Sequence, residues 1–144
     1  MIAVDTNILV HAYRAESHWH PRARAVVVAL AEGAGPWAIP WPCLHEFYAK
    51  VTHPRIFSPP SPMDHALDQV GAWLESPGVR LLSEGSDHAR TLAGLIRQGH
   101  VVGPMVHDAR IAAICLSHGV SELLTADRDF GRFPELRTRN PLIA

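Results

Sequence analysis

Five carboxylates fall at positions where they could act together. Asp5 closes the apolar stretch Met1–Val4. Asp127 follows the stretch Ser121–Thr125, and Asp129 stands two residues further on. Short apolar runs of this kind, with β-branched Ile2 and Val4 in the first, predict buried strands. In an open parallel sheet, ligands bind just beyond the carboxyl ends of the strands. Two strands therefore deliver acids to one edge. Taken singly, Asp5 could open a helix in Asp-Thr-Asn and Asp127 could be a turn residue. Two Asp at equivalent strand ends favour a site.

Asp108 adds a third position. It lies near the start of a helix predicted over Met105–His118, with Ile111, Ala112 and Cys115 at i+3, i+4 and i+7. That spacing puts the carboxylate on the apolar face, pointing inward. An acid in a first helical turn also suits the helix dipole, but that use predicts a solvent-facing side chain. A buried carboxylate needs a partner or a metal. Glu46 is the fourth. Its helix carries the stripe Leu44, Phe47, Tyr48 and Val51, and Glu46 lies outside it. From spacing alone it is equally a solvated residue paired with Lys50 at i+4.

Converging carboxylates repel one another and do not all stay ionised without a cation between them. Hard oxygen donors suit Mg²⁺ or Mn²⁺, one ion or two. Such an ion activates water and stabilises phosphoryl oxygens. The ten His are scattered, with no zinc spacing, no CxxC and no HExxH. There is no P-loop, no GxGxxG after a strand and no GxSxG, so nucleotide switching, dinucleotide redox and serine hydrolysis lack support.

The elements that must hold these residues alternate along the chain. Strands are predicted at Met1–Val4, Trp37–Pro40, Val79–Leu82 and Ser121–Thr125, with an edge strand at Arg137–Leu142. Helices are predicted at Ile8–Arg14 (Thr6 or Asn7 as N-cap), from Ser17 to Gly33 or Gly35, and at Cys43–Thr52. Three more follow: Ser61 to Glu75, Ser86–Gln98 capped by Gly99, and Met105–His118 ended by Gly119. The proline-dense stretch His53–Pro62 reads as a surface loop. This alternation predicts an α/β fold with a mainly parallel sheet and helices on both faces.

Composition bounds the rest. With 47% hydrophobic residues in 144, residues 1–144 can bury one core as a single domain without a disulfide or metal. The longest apolar run, Ala25–Ala31, is far short of the roughly 20 residues that span a bilayer. The start of the chain lacks a basic leader, and Cys43 and Cys115 read as small buried hydrophobes. A cytoplasmic protein is the expectation. Thirteen basic residues oppose 14 acidic ones, so bulk charge does not advertise nucleic-acid binding. With four acids gathered at one site, however, the remaining surface is net basic. All but one of its cations are Arg, the residue suited to forked phosphate contacts.

Four segments carry a resemblance. They are Met-Ile-Ala-Val-Asp-Thr-Asn at 1–7, Pro-Cys-Leu-His-Glu-Phe at 42–47, His-Asp-Ala-Arg-Ile-Ala-Ala at 107–113 and Leu-Leu-Thr-Ala-Asp-Arg-Asp-Phe at 123–130. In order and spacing they resemble the PIN domain, and more narrowly the VapC-type toxins of bacterial type II toxin–antitoxin systems. The resemblance covers essentially the whole chain. It implies a three-layer α/β/α fold and a Mg²⁺- or Mn²⁺-dependent endoribonuclease. The implied acidic site comprises Asp5, Glu46, Asp108 and Asp127. The metal would be held by Asp5, Asp108, Asp127 and Asp129, with Asp129 as an alternate or supporting ligand. Thr6 and Thr125 would be polar supports.

His107, next to Asp108, points about 100° away on the helix and is set aside as a general base. Arg14, Arg110, Arg128 and Arg132 are candidates for guiding RNA to the acids, each equally a solvated surface charge. Trp19, Trp37, Trp41 and Trp73 could stack on unpaired bases, with core packing the default. The resemblance also implies a homodimer and a small VapB-like antitoxin. Apolar side chains of the Ile8–Tyr13 helix, Phe47 and Tyr48 are the expected antitoxin contacts.

Three other readings compete. A phosphatase of the haloacid dehalogenase kind would want an Asp two residues after the first, where this chain has Asn7. It would also want a Lys, and the only one, Lys50, sits on the Glu46 helix. A cation-binding module without catalysis would fold the same way. A toxin homologue acting only as an antitoxin-binding partner would be expected to have lost acids, and all are present.

Overall fold

The computed structural model describes residues 1–143. Its centre is β1 (Ile2–Val4), followed by α1 (Thr6–Tyr13) and α2 (His20–Glu32). Then come β2 (Trp37–Pro40), α3 (Trp41–Val51), α4 (Met63–Leu74) and β3 (Val79–Leu82). The chain continues through α5 (His88–Gly99), α6 (Val106–Ser117), β4 (Glu122–Leu124) and β5 (Thr138–Arg139). The strands form one sheet in the order β3-β2-β1-β4-β5, and every pairing is parallel. The sheet is thus wholly parallel, where the sequence predicts a mainly parallel one. Strands buried on both faces explain the short, continuous apolar runs: Ala3, Val4, Trp37, Ala38, Ile39 and Leu123 have no accessible surface.

Right-handed crossovers fix the layers. The chain steps from β1 to β2 to β3 in one direction, so α1–α4 lie on one face, where α1 packs on α2 and α3, and α3 on α4. It then returns past β1 to β4, which carries α5 and α6, packed on each other, to the opposite face. The reversal leaves a crevice between the carboxyl ends of β1 and β4, the place where open α/β sheets bind ligands.

Several boundaries differ from the sequence expectation, for physical reasons. The N-cap of α1 is Asp5, not Thr6 or Asn7: its side chain accepts from Thr6 N–H at 2.8 Å. α2 begins at His20 with Trp19 at the cap. Ser17 instead accepts from Trp19 N–H in the preceding turn. α5 runs through Gly99, and His100 takes the left-handed cap at φ 50°. Gly99 is there for space. A Cβ would stand 3.2 Å from Phe133 Cε1 and 3.3 Å from Val101 Cγ2. The edge strand shrinks from Arg137–Leu142 to Thr138–Arg139. The tail beyond it folds back, with Leu142 buried and Arg22 Nε donating to the Pro141 carbonyl.

Candidate metal and active site

The register of the central strands brings the first and last motifs together. Val4 pairs with Leu124, and Asp5 N–H donates to the Leu124 carbonyl at 2.9 Å. Asp5 therefore stands beside Thr125. Its carboxylate is only 4% exposed and is surrounded by donors. Oδ1 accepts from Thr6 N–H and from the Cys43 thiol at 3.5 Å. Oδ2 accepts from the Thr125 hydroxyl at 2.7 Å and from Asn7 Nδ2 at 3.3 Å. Burial pushes the Asp5 carboxyl above its usual range. The bonds from Thr125, Thr6 and Cys43 oppose that shift, and the nearby Glu46 carboxylate adds to it. The Cys43 thiol is itself held protonated by burial and by Asp5, so it serves as a donor.

Thr125 and Asn7 tie this carboxylate to the β4 loop. Thr125 Oγ1 accepts from Asp127 N–H at 3.0 Å, and Asn7 Oδ1 accepts from Ala126 N–H at 3.0 Å. Asp127 in turn caps a short 3-10 turn, accepting from Asp129 N–H at 2.8 Å. Asp108, half-buried in the first turn of α6, faces this loop. One carboxylate oxygen from each of Asp108, Asp127 and Asp129 lies within 4.8 Å of the others.

No cation partner is paired with this trio among the described residues. The Asp108 carboxyl is pushed up to about 6 by burial first, then by Asp127, Asp5, Asp129 and Glu46. A group so displaced favours the proton, or any cation that takes its place. Mg²⁺ takes oxygen ligands at about 2.0–2.1 Å, which sets two of them no more than about 4.2 Å apart, so small side-chain movements bring these oxygens onto one small hard cation. The donor set fits such an ion.

Glu46 is on the exposed side of α3 yet tied to the site. Its Oε2 accepts from the Thr6 hydroxyl at 3.1 Å, while Oε1 pairs with Lys50 Nζ at 3.2 Å. The expected pair with Lys50 is thus made by one oxygen, while the other reaches Thr6 beside Asp5. Between it and Asp108 opens a cleft of about 550 Å³, walled by His45, Ala49, Pro104 and His107.

The four candidate arginines separate. Arg14 lies at the far end of α1 from Asp5. It is held there by Ser61 Oγ, the Pro59 carbonyl and Glu16, with its guanidinium 4.3 Å over the Phe57 ring. It fixes the proline loop rather than the acid edge. Arg110 lines the cleft, paired with Glu84. Arg132 donates to the Gly99 carbonyl at 3.2 Å. Arg128, exposed between Asp127 and Asp129, has no protein partner among the described residues.

The expected antitoxin contacts also need correction. Ile8, Leu9, Val10 and Phe47 belong to the core, with the Phe47 ring against Tyr13 and Trp73. Of that set Ala12, Tyr13 and Tyr48 keep partial exposure. Sequence reasoning missed Asn7 and Cys43 as donors to Asp5. Asn7 offered a signal in Asp-Thr-Asn, but the buried Cys43 thiol offered none.

A parallel sheet with acids at its reversal crevice defines an α/β domain with an acidic site suited to a cation, and comparison with known proteins specifies its family. The PIN domain family model matches residues 2–136, and the chain belongs to that family. Within it the chain is of the VapC type. It is 34% identical over 142 residues to Ribonuclease VapC43 of Mycobacterium tuberculosis, covering 99% of this chain and 96% of the relative. It is 28% identical over 137 residues to Ribonuclease VapC48 of the same organism, covering 95% and 94%.

Solved structures share the fold. VapBC2 from Rickettsia felis, bound to a DNA fragment from its promoter, superposes with a TM-score of 0.70 at 20% identity, covering 97% of this chain and 98% of that one. VapC20 of M. tuberculosis, a sarcin–ricin loop cleaving toxin, gives 0.67 at 17% identity, covering 91% and 93%. The phosphatase reading falls with these matches.

Proposed function

We propose that this chain is the toxin of a type II toxin–antitoxin pair and hydrolyses RNA phosphodiester bonds with Mg²⁺ or Mn²⁺ held by Asp108, Asp127 and Asp129. The observation that carries it is the convergence of these three carboxylates at the mouth of the β1/β4 crevice, with Asp5 fixed beneath them. When bound, the cation lowers the pKa of a water and stabilises charge on phosphoryl oxygens.

The protein's own residues do the positioning. Thr125 holds Asp5 and the Asp127 backbone with one hydroxyl, and Asn7 keeps the β4 loop against α1. Asp5, its lone pairs taken by four hydrogen bonds, sets the negative field under the trio and would join a ligand set only by exchanging one of its long bonds, from Cys43 or Asn7, for the ion. Glu46, oriented by Thr6, faces the same space and can take a proton from a water attacking the scissile phosphorus. In-line attack with departure of the 3′ oxygen leaves a 5′-phosphate and a 3′-hydroxyl. Arg128 and Arg110 guide the RNA backbone past the acids.

A VapB-like antitoxin covers the acid mouth in this reading. A homodimer buries the apolar face of α4, where Met63, Leu67 and Leu74 are exposed. No helix among the described residues is long and apolar enough to cross a membrane. We place the protein in the cytoplasm, where Cys43 and Cys115 remain free thiols.

The test is cleavage of total transfer and ribosomal RNA by purified, antitoxin-free protein with Mg²⁺, Mn²⁺ or EDTA, beside Asp108→Asn. Discrete fragments that need metal and vanish in the variant support the reading. A folded protein that binds the cation and cuts no RNA would leave a cation-binding module.

A further inference from the structure

The cleft beside the acids has the wrong chemistry to be only a path for phosphates. Its floor and walls are largely apolar or aromatic: Pro42, Ala49, Pro104 and Ile111, with the imidazoles of His45 and His107 facing across it. Next to His45, which lines the cleft, Trp41 opens α3 with 37% of its surface exposed, and its ring lies 6.0 Å from that of His45, tilted by 30°. A large aromatic at the first position of a helix has no need to face solvent. The other tryptophans behave otherwise: Trp37 and Trp73 are buried, and Trp19 is half-buried against His18. Trp41 follows directly on β2, so it stands on the same strand edge as Asp5. Glu46, one turn along α3 from Trp41, lines the cleft together with Asp108. The cleft is therefore continuous with the acid site.

We propose that this cleft receives the unpaired nucleotide flanking the scissile phosphate, with Trp41 and His45 as a stacking platform for its base and Arg110 with His107 beside its phosphate. The proposal rests on the ribonuclease reading above and names its substrate form. Aromatic faces grip bases that are splayed out of a helix, and every base offers a π face. The volume of about 550 Å³ holds one nucleotide with its solvent, and a base that is paired in a duplex has no free face to lay on the platform. The platform thus selects single-stranded loops, while sequence preference is left to the contacts around it.

The test has two arms. In the first, Trp fluorescence is titrated with a mixed-sequence single-stranded RNA oligonucleotide and with the same strand annealed to its complement. Both titrations use the full chain carrying Asp108→Asn, so that no cleavage occurs. The single strand quenches the signal and the duplex does not. Adding Trp41→Leu removes the quenching, whereas Trp19→Phe, outside the cleft, retains it. In the second arm, cleavage kinetics compare Trp41→Leu, His45→Ala and Trp41→Phe in the otherwise unaltered protein. Loss of a base–aromatic stack raises KM by about 5- to 100-fold in the first two. The phenyl ring of Trp41→Phe restores most of that loss.

Quenching that survives Trp41→Leu, or equal quenching by duplex, overturns the proposal. An unchanged KM in Trp41→Leu also overturns it and gives the platform to a protein partner. If the unaltered protein cuts no RNA, the ribonuclease reading fails, and the quenching arm still decides whether the cleft binds unpaired bases.

Discussion

Asp108→Asn removes one negative charge from a half-buried position facing Asp127 and Asp129 and leaves the side-chain shape unchanged. In the folded protein without a cation, the Asp108 carboxyl is pushed from 3.8 up to about 6. At about 1.36 kcal/mol per pH unit of displacement, ionised Asp108 costs the fold about 3 kcal/mol. Water in the open cleft screens roughly half of that, leaving about 1.5 kcal/mol. The folded group holds its proton more tightly than the unfolded one. Its destabilising effect is therefore absent below the unfolded value, grows as pH rises from about 4 to about 6, and is complete above that.

The assay is thermal unfolding in EDTA from pH 4 to 8. For a chain of this length, with an unfolding entropy of about 2.1 cal/mol/K per residue, the variant should melt about 5 °C higher at pH 7.5. The gap should close as the pH falls toward 4. Adding Mg²⁺ should raise the melting temperature of the unaltered protein and should do little for Asp108→Asn, which also loses cleavage. A variant no more stable than its parent at pH 7.5, or a gap that persists at pH 4, would refute the electrostatic reasoning.

Three further substitutions test the supports. Thr125→Val deletes a hydroxyl bonded to Asp5 and to the Asp127 backbone. It should lower stability by about 1–3 kcal/mol in denaturant titrations and reduce RNA cleavage, with Thr125→Ser close to the parent in both. Gly99→Ala places a Cβ against Phe133 and Val101 and should destabilise the fold by about 1–2 kcal/mol by calorimetry, without altering metal affinity. His100→Gly relieves a left-handed residue at the end of α5 and should raise stability by up to about 1 kcal/mol; a lower melting temperature would mean that the imidazole makes compensating contacts.

The parts of the molecule legible in the sequence are those that local pattern controls. The apolar runs at Ile2–Val4 and Trp37–Pro40 declare buried strands, Val79–Leu82 with its exposed Arg80 reads as a strand and lies at the edge, and alternation with helices declares a parallel sheet. The inward face of Asp108 follows from three apolar neighbours at helical spacing. What spacing could not decide were contacts made across long separations. Asp127 and Asp129 look interchangeable in sequence, and the trio forms only because a 3-10 turn brings both toward α6. Gly99 carries the signature of a helix cap, yet its lack of a side chain serves Phe133, and the chain accepts a strained His100 instead. Arg14 lies close to Asp5 in sequence but at the other end of a helix, where the proline loop claims it.

The bond from Thr125 to Asp5 spans 120 positions of sequence. Its consequence lies in the order of synthesis. A ribosome adds about 5–20 residues per second, and long-range pairings of this kind form late and slowly. A nascent chain can gather α1–α4 around β1, β2 and β3 well before β4 exists. Until β4 emerges and slots in beside β1, Asp5 lacks its Thr125 donor and the acid trio lacks two of its three members. A growing chain therefore has no assembled acid site. The last strands to be translated act as an arming step, and a partner already present at that moment can meet the site as it forms.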